Sequence, residues 1–192
     1  MTTTSTSIAV FGGSFDPPHV AHVLTAHYVL AVGGFDRVIV VPVCDHAFGK
    51  RMAPFEDRLA LARACFEHDA RVEVSAIEAE LPRPNYTERT LERLRELMPD
   101  AAFQLVMGSD VLPETAHWHD FPRVCELAPP FVLTRAGHER PELPPAVLPE
   151  VSSTEVRELL ARRGEAEADR RLAALVPRRV LELIDARGLY RG

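Results

Sequence analysis

The chain has 192 residues, 46% hydrophobic and 26% charged, with a formal net charge of −6; this is enough chain for one sizeable core, and the acidic balance argues against broad nucleic-acid binding, which needs a basic face. Cys44, Cys65 and Cys125 are scattered, with no CxxC pair, which argues against a disulfide framework or structural zinc site and fits a reducing cytoplasm. No apolar run approaches about 18 residues and no basic-then-apolar leader opens the chain, so neither a membrane span nor a signal peptide is expected.

Residues 1–7, a Thr/Ser run without apolar period, read as a mobile tail ahead of a single domain over 8–192. Ile8, Ala9, Val10 and Phe11 form a short apolar run that stops at Gly12-Gly13, a buried strand feeding a tight loop. Apolar residues at Val20, Val23, Leu24, Tyr28 and Ala31 have helical spacing, ended by Gly33-Gly34. Val38, Ile39, Val40 and Val41 form a second buried strand closed by Pro42, completing a parallel crossover. After an irregular stretch over 43–53, a helix is expected over 55–66, with Pro54 suited to its first turn. A strand follows at 71–75. Asn85 and Glu88 have capping-box spacing ahead of a helix to Leu97. Further strands are expected at 103–107 and 131–133, with a short helix at 121–127 between them. Residues 137–149 hold four prolines and read as a loop. Ser152 and Glu155 again have capping-box spacing, opening a helix to about Arg163. Residues 169–189 read as two helical pieces joined at Pro177, with Gly188 as the stop. The alternation predicts an α/β fold, a Rossmann-like, doubly wound, mostly parallel sheet with C-terminal helices.

The segment Gly12-Gly13-Ser14-Phe15-Asp16-Pro17-Pro18-His19-Val20-Ala21-His22 lies between a strand end and a helix start, where open α/β sheets hold ligands. Gly12 and Gly13 allow a phosphate close to the backbone. The helix start offers free N–H groups and a partial positive charge. His19 and His22, three apart, face one point and suit donation to a phosphate as its charge builds. No third His, Cys or carboxylate has metal-ligand spacing beside them, so no resident metal is expected. Near the C-terminus, Val151-Ser152-Ser153-Thr154-Glu155-Val156-Arg157 combines hydroxyls, a helix start and a forked cation, which suits a polyphosphate.

The first segment resembles the nucleotidylyltransferase signature GxFDPxHxGH, with Ala21 in place of its glycine. The later one resembles that family's ISSTxxR motif, with Val151 in place of isoleucine. The resemblance implies that His19, His22 and Arg157 are catalytic. It also implies ATP contacts from Gly13, Ser14 and Phe15, with Ser152 and Ser153 on the leaving phosphates. From Ile8 to about Tyr190 the chain is similar to bacterial nicotinate mononucleotide adenylyltransferases. Gly108-Ser109-Asp110 resembles their GxD motif, whose aspartate binds the ATP ribose; Arg135 matches a position beside the adenine. Trp118, eight residues after Asp110, matches a tryptophan that stacks on the pyridine. Asn85-Tyr86-Thr87-Glu88-Arg89-Thr90-Leu91 resembles SYTxDTL, whose backbone recognises the pyridine carboxyl group; Tyr86 and Thr87 match, while Asn85 and Arg89 depart. Lys50, in Phe48-Gly49-Lys50 where Pro-His-Lys is usual, and Arg58 fall where the family places a cation near the substrate phosphate.

The resemblance thus implies transfer of AMP from ATP to nicotinate mononucleotide, giving deamido-NAD and pyrophosphate, with Mg²⁺ carried on the ATP. Expected partners are ATP and a pyridine mononucleotide, with no nucleic acid and no membrane. Whether the chain is a monomer or a homo-oligomer stays open. So do a nicotinamide mononucleotide or phosphopantetheine substrate, a non-catalytic nucleotide sensor, and a metal-binding protein using His19 and His22.

Overall fold

The computed structural model describes residues 5–45, 49 and 51–191. Five parallel strands form one sheet in the order β3-β2-β1-β4-β5. They are β1 (Ser7–Gly13), β2 (Arg37–Pro42), β3 (Val72–Val74), β4 (Ala102–Gly108) and β5 (Pro130–Leu133). Seven α-helices accompany them: α1 (Val20–Val32), α2 (Phe55–Phe66), α3 (Thr87–Leu97), α4 (Phe121–Leu127), α5 (Ser153–Leu160), α6 (Ala166–Leu175) and α7 (Arg178–Arg187). Short 3₁₀ turns at Ile77–Glu80 and Leu112–His117, absent from the sequence reading, link β3 to α3 and β4 to α4.

The three central strands are buried on both faces over most of their length, and their side chains alternate between two cores. Ala9, Val38, Val40 and Val106 point to one core, shared with α1, α2 and α5, α6 and α7. Ile8, Val10, Ile39, Val41, Phe103, Leu105 and Met107 point to the other, closed by α3 and α4. This is the doubly wound α/β arrangement expected from the alternating pattern.

Several boundaries differ from the periodicity, each for a local reason. Ser5, Thr6 and Ser7, assigned above to a mobile tail, are tied down. Ser5 Oγ donates to the Asp100 carbonyl, the Thr6 carbonyl accepts from the Ala102 N–H, and Ser7 begins β1. The pull of β4 outweighs a composition that favours no structure. The Asn85–Glu88 capping box does not form. Tyr86 is the N-cap, while the Asn85 amide bonds the Asp45 N–H and the Glu78 carbonyl. At α5, Ser152 Oγ accepts from the Glu155 N–H at 3.1 Å, but the Glu155 side chain pairs with Arg171. That helix stops at Leu160, short of Arg163. Pro54 sits at the N-cap of α2 rather than within its first turn, and Gly188 caps α7 at φ 64°.

Candidate active site

The sheet reverses direction between β1 and β4, since the chain builds β2 and β3 outward on one side before crossing to β4 and β5. Such a switch point leaves a crevice at the carboxyl ends of the strands. Here the strands also fork. β1 pairs with β4 only as far as Val10 opposite Leu105. Beyond that, Phe11, Gly12 and Gly13 pair only with β2, and Val106, Met107 and Gly108 only with β5. Backbone groups in the fork are released from the ladder and need another partner. A cleft of about 520 Å³ fills it, lined among others by Gly12, Gly13, Ser14, Gly108, Tyr86 and Trp118. A Cβ built on Gly12 would meet no atom of the described residues within 4 Å, which leaves room over this residue for a ligand. At Gly13 a Cβ would stand 3.1 Å from the ring of Phe15.

The loop after β1 is pinned by that ring. Phe15 is fully buried with φ 47° and packs edge-on against Phe11 and Phe66 and beside His22. The loop delivers His19 to the N-cap of α1, and one turn of helix brings His22 alongside, with ring centroids 3.8 Å apart. The His19 N–H donates to His22 Nδ1 at 3.1 Å. A neutral His22 therefore carries its proton on Nε2, as a donor. His19 is 2% exposed, and its Nδ1 has no hydrogen-bond partner. Burial, then the positive charge of Arg135, push the His19 imidazole down to about 4. Burial, His19 and Arg135 likewise hold His22 below its ordinary value. At neutral pH both rings are uncharged donors that an arriving phosphate finds already oriented.

Asp16, 2% exposed, stitches this loop to three distant segments. Its Oδ1 accepts from the Ala53 N–H at 3.1 Å and the Tyr190 hydroxyl at 2.8 Å. Its backbone carbonyl accepts from Arg157 at 2.6 Å, and Ser153 Oγ donates to the neighbouring Pro17 carbonyl at 3.0 Å. The two motifs, some 140 residues apart (|i−j| of 136 and 141), are thus one structure. In this arrangement the hydroxyls of Ser152 and Ser153 are engaged in the helix cap and the loop contact. What remains at the α5 start for an anion is its backbone N–H groups.

Across the fork, a Cβ on Gly108 would run into Asp110 Oδ1, so a side chain there would displace that carboxylate. That oxygen is buried without a hydrogen-bond partner, while Oδ2 lies 3.4 Å from Arg135. Ser109, 1% exposed, holds the Arg135 N–H with its hydroxyl at 2.9 Å, setting Arg135 beside Asp110. On the far side of the cleft stand Tyr86, Thr87 and Trp118, the indole half-buried edge-on against Phe121. Arg89 lies over the Tyr86 ring, 5.0 Å from its centroid, and is not among the cleft-lining residues. Lys50 lies outside the described residues. Arg58 is 1% exposed and donates to the backbone carbonyls of Ser14 and Ala53, so it braces the loop from beneath. Glu78 and Thr90 line the cleft; Thr90 belongs to the segment that resembles SYTxDTL, whereas nothing in the sequence marks Glu78. Glu78 accepts from the Cys44 N–H and the Thr90 hydroxyl, and burial holds its carboxyl above the ordinary range. Among the described residues no three His, Cys, Asp or Glu side chains form a metal-holding group.

Fold and site define the class first: a doubly wound α/β protein with a cleft at its switch point and two adjacent buried histidines at the start of the helix that follows β1. Residues 10–159 match the family described as cytidylyltransferase-like, and the chain belongs to that family. Among curated relatives, a protein of Anaeromyxobacter sp. (strain K) named "Probable nicotinate-nucleotide adenylyltransferase" is 46% identical over 96% of this chain and 97% of its own length. One of Myxococcus xanthus with the same name is 43% identical over 95% and 94%. The solved structure of Plasmodium falciparum nicotinic acid mononucleotide adenylyltransferase complexed with NaAD superposes with a TM-score of 0.78 at 18% identity, covering 96% of this chain and 97% of that one. At that identity the likeness speaks for the fold.

Proposed function

We propose that the protein transfers the AMP portion of ATP to nicotinate mononucleotide, releasing pyrophosphate and forming the deamido dinucleotide, as a biosynthetic enzyme of the cytoplasm. The observation that carries the reading is the pair of neutral, pre-oriented imidazoles at the start of α1, on the loop whose Gly12, Gly13 and Ser14 line the cleft. The names and high coverage of the curated relatives support the choice of substrate.

In this mechanism a phosphate oxygen of the mononucleotide attacks the α-phosphorus of ATP in line. The new P–O bond forms as the bond to the β-phosphate oxygen breaks, and the electron pair leaves with pyrophosphate. No protein nucleophile takes part; positioning and charge stabilisation do the work. His19 and His22 donate to the α- and β-phosphates as charge builds. Arg157, clamped through the Asp16 carbonyl, faces the leaving group with the N–H groups of the α5 start. The unpartnered Asp110 Oδ1 accepts from a ribose hydroxyl, and Arg135 lies beside the adenine. Trp118 stacks on the pyridine. Mg²⁺ carried with the ATP substrate would be held by phosphate oxygens and water and would supply charge screening of the triphosphate.

Pyrophosphate release is the test, with ATP and Mg²⁺ plus, separately, nicotinate mononucleotide, nicotinamide mononucleotide and phosphopantetheine. Turnover is expected to be highest with the first, and His19→Ala is expected to lose at least about 100-fold in kcat, as removal of one transition-state donor does, with its thermal unfolding retained. ATP binding without pyrophosphate release would point to a nucleotide sensor. Unchanged turnover in His19→Ala would overturn the mechanism.

A further inference from the structure

β2 ends at Pro42, and the chain leaves the sheet along the cleft, which Val43 lines. The next three backbone N–H groups each find a partner of a different kind. The Val43 N–H donates to the Gly13 carbonyl at 2.9 Å, at the end of β1 where the loop to the histidines starts. The Cys44 N–H donates to Glu78 Oε2 at 2.9 Å, and the Asp45 N–H to Asn85 Oδ1 at 3.0 Å. Glu78 and Asn85 are buried in the opposite wall, which continues into Tyr86 and Thr87. They are also locked to each other and to α3. Asn85 Nδ2 donates to the Glu78 carbonyl at 2.9 Å, and the Thr90 hydroxyl to Glu78 Oε1 at 3.1 Å. Residues 43–45 therefore bridge the cleft, tied at one end to the β1 loop and at the other to the α3 wall. A serine, which the resembled motif has in place of Asn85, carries a single hydroxyl one atom nearer the backbone. Only the amide reaches a donor and an acceptor at once.

We propose that Glu78 and Asn85 are positioning residues for the transfer step: through the Cys44 and Asp45 N–H groups they fix the spacing between the β1 loop and the wall of Tyr86 and Thr87. The proposal rests on the function given above, in which the loop receives the triphosphate and the wall the mononucleotide. In-line attack needs the reacting atoms about 3–3.5 Å apart, and a misplacement of about 1 Å costs about 100-fold. With each substrate held on a different wall, the spacing of the walls sets that distance. Loosening the bridge lowers the rate of transfer while each substrate alone still binds its own wall. The bridge needs the shape and hydrogen bonds of Glu78 rather than its charge. A glutamine there accepts from the Cys44 N–H and donates to the Thr90 hydroxyl, which turns to the Tyr86 carbonyl 3.4 Å away.

The test compares the unsubstituted enzyme with Glu78→Met, Glu78→Gln and Asn85→Ser. Three quantities are read: kcat, amide exchange at residues 44 and 45, and the separate dissociation constants of nicotinate mononucleotide and a non-hydrolysable ATP analogue. In Glu78→Met and Asn85→Ser, kcat falls by about tenfold or more, each dissociation constant stays within about twofold, and exchange quickens. Glu78→Gln retains most of kcat and the slow exchange. If Glu78→Met does not fold, Asn85→Ser decides by the same readings. Full kcat in Asn85→Ser with quickened exchange overturns the proposal and leaves the enzyme's function intact. So does a loss in Glu78→Gln equal to that in Glu78→Met, which would put the charge of Glu78 to work. A mononucleotide affinity that weakens in step with kcat overturns it too, since the residues would then act on binding. An unsubstituted enzyme inert with ATP and either pyridine mononucleotide overturns the functional reading, and this inference with it.

Discussion

His19 shows how a single side chain ties stability to function. Its value, pushed down from 6.5 to about 4 by burial first and Arg135 second, means that the folded chain binds this proton less readily than the unfolded chain. The resulting stability is fully present above the unfolded value and is lost as pH falls from about 6.5 toward 4. At roughly 1.4 kcal/mol per pKa unit the effect approaches about 3 kcal/mol. Urea unfolding of the unsubstituted protein is expected to weaken between pH 7 and pH 5, and His19→Asn to lose much of that pH dependence; an equal dependence in both would remove His19 from the account. Gly108 is the complementary case, a residue defined by the side chain it lacks. Gly108→Ala drives a methyl against Asp110 Oδ1. The KM for ATP is expected to rise by about tenfold or more, with little change in the mononucleotide KM, in steady-state assays varying each substrate in turn.

At the scale of elements, the decisive unit is the loop between β1 and α1 together with what holds it. Arg58 from α2 grips it through the Ser14 carbonyl, Arg157 from α5 through the Asp16 carbonyl, and Tyr190 beyond α7 through Asp16 Oδ1. A hydrogen bond to a buried charged group contributes about 1.5–3 kcal/mol. Tyr190→Phe removes one such bond and leaves Asp16 with fewer partners. It is expected to destabilise by about that amount in thermal or urea unfolding. It should also lower kcat more than it raises either KM, because the loop that carries His19 loosens. Stability loss with kcat untouched would make Tyr190 a purely structural residue. The Asn85–Glu88 pair teaches a related lesson. Spacing marks a capping box there, but the tertiary environment takes Asn85 for the Glu78 and Asp45 backbone and turns Glu88 inward toward His119.

At the scale of the whole molecule, the sheet is a strong centre between two weak edges. β1 pairs on both sides and is packed by both cores, whereas β3 and β5 pair on one side only. Amide hydrogen exchange is expected to be slowest in residues 8–10 of β1 and fastest among the strands in β3 and β5. The fork beyond Val10 and Leu105 lies between these regimes. Occupying the cleft with ATP is expected to slow exchange at residues 12–14 and 108–110 more than elsewhere in the sheet.

By itself the sequence determined the order of strands and helices and marked the two motifs at Gly12 and Ser152. Those properties are written in local signals: short apolar runs for buried strands, helical spacing, and glycines after strands. Four things waited for the tertiary structure: the fork that makes the cleft, the joining of the two motifs through Asp16 and Pro17, the bracing role of Arg58, and the hold of Glu78 and Asn85 on residues 44 and 45. Each depends on contacts between residues roughly 30 or more positions apart, and no local pattern records which distant partner a side chain will meet when both are removed from water.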